Sequence, residues 1–189
     1  MDEKAFSNQV YGIYSKLFKP YEDIGLKIRE NSYILSDTTC LIQSDKYKLI
    51  LGHSETDIVI FRSVPLDKKV FNSTLVRFYN DEKENVEHFK IPYIVIELKS
   101  GKLGSNSIQS KSLVAERIKS NFPFCAYYFI AQETTKTHET LLRQGKNFTN
   151  YFISKSTFTT QELTSIFNDF MRPHLANLEK LGHFKAELK

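Results

Sequence analysis

The sequence is poor in the residues that mark several familiar protein classes. It has no tryptophan and only two cysteines, Cys40 and Cys125, which form no CxxC pair and have no histidine at zinc-ligand spacing. This pattern argues against a structural zinc site, and we expect two buried thiols in preference to a disulfide. No segment approaches the ~20 apolar residues that span a bilayer, and the acidic start MDEKAFSNQV differs from a secretory peptide. These absences predict a soluble, cytoplasmic protein with no membrane partner.

Charge of one sign is also scarce. Twenty-six Lys and Arg against 22 Asp and Glu leave a net charge of +4. This balance allows an anionic partner but falls short of a strongly basic nucleic-acid coat. The 189 residues, of which 41% are apolar, suffice to bury one substantial core. We therefore expect one domain, residues 1–189, without internal repeats.

Apolar spacing predicts both helices and strands. From Ala5 to Asn31, steps of three and four residues indicate an amphipathic helix divided at Pro20. TTCLIQ and KYKLILG are typical of a hairpin with a turn at Ser44-Asp45. The remaining predicted elements are strands at Asp57–Val64, Tyr93–Leu98 and Cys125–Ala131, a candidate strand at Ser73–Phe78, helices at Ile108–Ser120, His138–Asn150 and Thr160–Leu181, and the short strand YFIS.

This order of elements predicts an α/β fold with a central mixed β-sheet flanked by helices. We place the core at about residues 5–131 and a helical C-terminal extension at about 136–189. A surface insertion at about 65–90 contains the charged, turn-prone stretch NDEKENVEHFK. Tyr127 and its aromatic neighbours are interpreted as core, because they lie on or beside a buried strand.

Two charged residues end the most apolar strand of the protein. Side chains alternate along a strand, so Glu97 and Lys99 share one face while Ile96 and Leu98 share the other. Charges in such a place need mutual pairing, solvent or a metal to offset their desolvation. A simpler interpretation, a cross-strand Glu97–Lys99 pair on an exposed edge, conflicts with the apolar run from Tyr93.

A second acid precedes another apolar strand. Asp57 opens DIVIF directly after the turn-like GHSET, and Glu55 lies on the same side if the strand extends backwards. If the strands of Asp57 and Glu97 are neighbours, both carboxylates converge on one hard cation, because Mg²⁺ favours a few carboxylates together with water and phosphate oxygens. Lys99 would then orient or help deprotonate the attacking water. In the alternative, Asp57 is only a turn residue.

The pattern of Asp57 opening one apolar strand and Glu97-Leu98-Lys99 closing another resembles the PD-(D/E)XK nuclease superfamily, and most of all a type II restriction endonuclease. Thr56 stands where the family signature has proline. The resemblance implies a restriction-endonuclease-like αβββαβ core. It also implies that Asp57, Glu97 and the Leu98 backbone carbonyl bind Mg²⁺, with Mn²⁺ as a substitute, and that Lys99 is catalytic.

The resemblance also implies accessory residues. A glutamate on the first helix is often an extra member of the site, and Glu30 is the candidate, with Glu22 behind it. Polar residues on the helix after the motif often touch the scissile phosphate, which selects Gln109 and Lys111. These two residues and Lys102 are candidates for contacts to the DNA backbone, although an ordinary polar helix face explains them equally well.

Three functions remain open at this point. The first is a Mg²⁺-dependent endonuclease acting on double-stranded DNA as a homodimer, in the manner of a site-specific restriction enzyme. The second is a structure-selective or repair nuclease, or the nuclease subunit of a defence complex. The third is a non-catalytic nucleic-acid-binding protein in which the motif is coincidental.

Overall fold

The computed structural model describes residues 2–43, 46–65, 76–79, 88–135 and 138–184. In chain order its elements are α1 (Glu3–Phe18), a 3-10 helix (Lys19–Ile24), β1 (Leu26–Gln43), β2 (Lys46–Pro65), β3 (Val76–Tyr79), β4 (His88–Ser100), α2 (Ser105–Asn121), β5 (Ala126–Gln132), α3 (His138–Gln144), β6 (Asn150–Ile153), α4 (Thr160–Ile166), a π-helical turn (Phe167–Met171) and α5 (Arg172–Lys180).

The described strands form one mixed sheet. Its order is β1-β2-β4-β5-β6, and β3 pairs with β2. Strand β2 is antiparallel to both β1 and β4, whereas β5 is parallel to both β4 and β6. Helices cover both sides of the sheet, so the α/β class with a central mixed sheet is confirmed. None of the described helices is long and apolar enough to cross a membrane.

Alternating side chains divide the sheet into two faces. The α1 face carries even-numbered residues such as Ile58, Ile96 and Leu98, which pack against α1 and the C-terminal helices. The α2 face carries odd-numbered residues such as Val59 and Val95, which pack against α2 and α3. Because successive side chains of a strand point to opposite sides, neighbouring residues of β2 and β4 belong to different cores.

The first helix is shorter than its apolar spacing predicts. Gly25 adopts a left-handed conformation with φ of 80°, which ends the 3-10 helix. The chain then continues as β1, with Leu26 and Ile28 buried and Lys27 and Arg29 exposed. That two-residue alternation belongs to a strand, so the prediction of a helix reaching Asn31 is wrong.

GHSET is part of a strand and not a turn. Strand β2 runs through it, with His53 paired to Leu35 of β1. Gly52 serves close packing here, because a Cβ at this position would lie 3.0 Å from the Cβ of Asp37. Asp57 therefore lies within β2 and not at its start.

The C-terminal part contributes a strand as well as helices. The helix predicted from His138 ends at Gln144, and β6 follows at the edge of the sheet. A capping box at Thr159 begins the last helical segment. The Thr159 hydroxyl oxygen accepts from the backbone N–H of Glu162, and the Glu162 carboxylate accepts from the backbone N–H of Thr159. Of the insertion at 65–90, the stretches 66–75 and 80–87 lie outside the described residues, as does the predicted turn at 44–45.

Candidate active site

The sheet brings Asp57 and Glu97 together. Strands β2 and β4 pair with Ile58 opposite Ile96, so the next position places Asp57 opposite Glu97 on the α2 face. The backbone N–H of Leu98 donates to Asp57 Oδ2 over 2.7 Å. These two strands are therefore neighbours, which is the condition for Asp57 and Glu97 to share one site.

Glu97 is held inside the protein by two partners. Only 3% of its surface is exposed. The hydroxyl of Tyr127 on β5 donates to Glu97 Oε2 over 2.9 Å, and the Lys111 ammonium on α2 forms an ion pair with Oε1. Both oxygens of the buried carboxyl group thus have a hydrogen-bonding partner, which fixes its orientation.

The carboxyl groups of Asp57 and Glu97 are close enough to influence each other's pKa. Burial raises the pKa of Glu97 to about 7, and the neighbouring Asp57 carboxylate adds to the increase. Burial also raises the pKa of Asp57, although the Leu98 amide opposes this. Two carboxyl groups so close together need a shared proton or a cation, because their negative charges repel.

Lys111 supplies positive charge to this pair. Burial acts to lower the pKa of its ammonium, but the carboxylates of Glu97, Asp57 and Glu3 outweigh burial, and the pKa is raised. The lysine is therefore charged at neutral pH. Its side chain is 36% exposed, so it extends from the buried Glu97 carboxyl group to solvent.

Glu3 is a site residue that the sequence interpretation missed. It lies in the first turn of α1, and its Oε2 accepts from the Lys99 ammonium over 2.5 Å. It also influences the pKa values of Asp57 and Lys111, so it belongs to the same charged cluster. The feature of the sequence that could have indicated Glu3 is its place in the first turn of a helix, directly after the N-cap Asp2.

The accessory glutamates predicted from the first helix lie elsewhere. Glu30 is on β1 opposite Ile58, which places it on the α1 face, away from the carboxyl pair. Glu22 is exposed in the 3-10 helix beyond the end of α1. Both were chosen on the assumption of a helix reaching Asn31, and the glutamate that α1 brings to the site is Glu3.

The remaining candidate residues differ in how exposed their side chains are. Lys102 and Gln109 are exposed, on the β4–α2 connection and on α2. Leu98 contributes its backbone to the site while its side chain is buried on the α1 face. Glu55 is exposed on β2, opposite Tyr33.

The donor set suits a hard cation. In the part of the chain that the structure describes, no group of three or more histidine, cysteine or acidic side chains has the arrangement of a metal site. Asp57 and Glu97 offer two carboxylates, and the backbone of Leu98 lies beside them with its N–H bonded to Asp57. Mg²⁺ is typically bound by one or two carboxylates together with water and phosphate oxygens, so these residues fit Mg²⁺ and do not form a zinc site.

Comparison with known proteins gives one distant likeness to report. No protein-family model and no curated protein matches this chain. The structure titled "native BbvCI A2B2 tetramer at low resolution" aligns with a TM-score of 0.41 and 14% sequence identity, over 83% of this chain and 60% of that chain. This chain therefore spans less than two thirds of the BbvCI chain that it matches. A likeness this distant carries no functional conclusion.

Proposed function

We propose that the protein is a Mg²⁺-dependent nuclease that hydrolyses phosphodiester bonds in double-stranded DNA. The observation that supports this is the pair of half-buried Asp57 and buried Glu97, which lie opposite each other on neighbouring strands, with Lys111 bound to Glu97 and Lys99 further along β4. Placing two carboxyl groups side by side where burial raises both pKa values costs free energy, which favours a functional role over a purely structural one. Strongly perturbed acids of this kind concentrate at functional sites.

Each residue of the cluster has a distinct task in this proposal. Asp57, Glu97 and the Leu98 carbonyl would hold Mg²⁺, or Mn²⁺ in its place. When bound, the ion would polarise a phosphoryl oxygen and lower the pKa of a water molecule. Lys99 would orient that water and counter the negative charge that develops on the phosphate. Glu3 holds the Lys99 ammonium at the end of β4.

The neighbouring polar residues suit a DNA backbone. Lys102 is exposed on the β4–α2 connection, and Gln109 is exposed on α2, the helix that carries Lys111. Gly101, with φ of 81°, turns the chain sharply after β4 and leaves no side chain at that point. Lysines here would release counterions from the phosphates on binding.

The finer proposal is a site-specific restriction enzyme that acts as a homodimer. Cutting both strands of a duplex at one place requires two active sites with opposite strand polarity. A two-fold symmetric dimer of one chain provides them.

The direct test is incubation of the purified protein with plasmid DNA in Mg²⁺ and in EDTA. We expect cleavage only with Mg²⁺, and a loss of at least about 10²-fold in rate for Asp57→Ala, Glu97→Ala and Lys99→Ala. Glu55→Ala is the matched control, because it removes an exposed acid from the same strand and should cleave like wild type. Cleavage at the wild-type rate by folded Glu97→Ala would refute the proposal.

The products distinguish the kinds of nuclease. Discrete fragments from plasmid DNA support a restriction enzyme, whereas preference for branched or single-stranded substrates supports a repair or structure-selective role. DNA binding that is indifferent to both Mg²⁺ and Asp57→Ala would instead indicate a non-catalytic binding protein.

A further inference from the structure

The carboxylate oxygens of the site differ in the kind of partner they have. Glu97 Oε2 accepts from the Tyr127 hydroxyl at 2.9 Å, and Asp57 Oδ2 accepts from the Leu98 amide at 2.7 Å. Both donors are neutral groups on strands. Glu97 Oε1 instead contacts the Lys111 ammonium, which is a full positive charge carried by a helix.

The two partners of Glu97 also differ in how readily they can leave. Tyr127 is fully buried and packs against Phe148, with 5.8 Å between ring centroids. Its hydroxyl has no route away from Glu97 without disrupting the core. Lys111 is a long side chain on a flexible stem, and 36% of its surface is exposed. It can swing into solvent while its backbone stays in place.

We propose that Lys111 is an internal competitor of the divalent ion, occupying the cation position beside Glu97 until the metal displaces it. This inference deepens the proposed function and rests on its metal site. An ammonium in contact with Glu97 Oε1 and a divalent ion at the same oxygen exclude each other by size and by charge repulsion. Without metal, the lysine offsets the repulsion between the two carboxylates.

A bound metal ion would also move the Lys111 ammonium to a second position. Once its ammonium leaves Glu97, it remains tethered to α2 at the mouth of the site, where a DNA phosphate would approach. A phosphate that attracts the lysine would favour metal binding, and metal binding would in turn favour the phosphate contact, because coupling between two ligands is reciprocal. Lys111 thereby links ion binding to DNA binding.

The test measures Mn²⁺ binding by calorimetry on DNA-free protein, for wild type, Lys111→Met and Lys111→Gln. Removing the competitor should tighten Mn²⁺ binding about fivefold or more, as expected for loss of a partly buried ion pair. In EDTA, the Tm of both variants should fall, because the carboxylates lose their counter-charge. Lys16→Met removes an exposed lysine of α1 and should change Mn²⁺ affinity by less than about twofold.

Unchanged or weaker Mn²⁺ binding by both folded Lys111 variants would overturn the inference. Two variants are used so that a folding failure in one leaves the other informative. Failure of the proposed function has a different signature, namely wild-type protein that does not cleave DNA with Mg²⁺. Absence of cleavage together with tighter Mn²⁺ binding in Lys111→Met would reject the nuclease and keep the competing lysine.

Discussion

The two faces of the central sheet differ most where β2 and β4 meet. On the α1 face, Ile58 and Ile96 continue an unbroken apolar core. On the α2 face, the next residues along the same strands are Asp57 and Glu97, which place two carboxyl groups beside apolar core residues such as Phe129. Burial of isoleucine stabilises the fold, whereas burial of a carboxyl group destabilises it.

Neighbouring residues of the same two strands therefore serve different purposes, since the isoleucines stabilise the fold and the carboxyl groups do not. The strands need Ile58 and Ile96 to attach the sheet to α1 and the C-terminal helices. They do not need the carboxyl pair, whose raised pKa values report an unfavourable environment for charge. The α2 face is therefore less stable at this end of the sheet than an apolar face would be, because it contains the carboxyl groups of Asp57 and Glu97. Substitutions on the two faces should therefore have opposite consequences.

The largest effect on stability is expected from Ile96→Ala. The side chain is fully buried, so its truncation should cost about 2–5 kcal/mol in the free energy of unfolding. Urea denaturation measures the change. Leu113→Ala, at a position 53% exposed, is the control and should cost less than about 0.5 kcal/mol. Equal losses in the two variants would contradict the assigned core.

The next effect is a pH dependence that belongs to the α2 face. The pKa of Glu97 is raised from 4.5 to about 7, so the folded protein binds this proton more tightly than the unfolded chain. In the absence of metal, stability should therefore be lost as pH rises from about 4.5 through 7, by up to about 3 kcal/mol. Chemical denaturation in EDTA at a series of pH values measures this loss.

Glu97→Gln isolates the Glu97 contribution to that profile. The amide cannot ionise, so the decline between about pH 4.5 and 7 should shrink relative to wild type. His174 acts in the opposite direction in both proteins, because burial lowers its pKa. Parallel profiles for wild type and Glu97→Gln would show that Glu97 is already ionised throughout this range.

A smaller effect is expected from the capping box that starts the C-terminal helices of the α1 face. Thr159→Ala removes the oxygen that accepts from the Glu162 amide at 3.2 Å. The loss should be about 1 kcal/mol in thermal or urea unfolding. Thr160→Ala, one residue further on and exposed, should be nearly neutral. Mn²⁺ affinity should not change in either variant, since Thr159 bonds to Glu162 of its own helix and Thr160 is exposed.

The smallest effect on stability is expected from Glu3→Gln. Its ion pair with Lys99 joins side chains that are 48% and 31% exposed, so its loss should cost at most about 0.5 kcal/mol. Plasmid cleavage should nevertheless slow several-fold, because Lys99 loses the carboxylate that positions it. Glu22→Gln, at the other end of the same helical region, is the control for both measurements. A stability loss without slower cleavage would make the pair structural.

The segments with uniform patterns were predictable from sequence. Strand β5 and helix α2 appear close to their expected bounds, and β4 contains the predicted Tyr93–Leu98 run. Strand β5 and the Tyr93–Leu98 run are continuous apolar segments, and the apolar residues of α2 keep helical spacing. Prediction failed at 25–31, where the four-residue step from Ile24 to Ile28 fits a helix, while the burial of Leu26 and Ile28 fits a strand.

The residues that surround Asp57 and Glu97 were less predictable from sequence than these two acids themselves. Tyr127 was recognised as a core residue, but its hydroxyl bond to Glu97 depends on β5 lying beside β4. Lys111 was selected as a DNA contact, whereas the structure pairs it with Glu97. Glu3 gave only the signal of an acidic first turn, which many helices show for their own stability.

The amino-acid sequence by itself determined that Glu97 and Lys99 share one face at the end of an apolar strand, because side-chain alternation is a local property of strands. Tertiary structure alone decided that Asp57, Lys111, Tyr127 and Glu3 meet them. That convergence depends on the Ile58–Ile96 register and on where α1 and α2 pack on the sheet. Such long-range geometry follows from the burial of both faces together and leaves no periodic trace in any one segment.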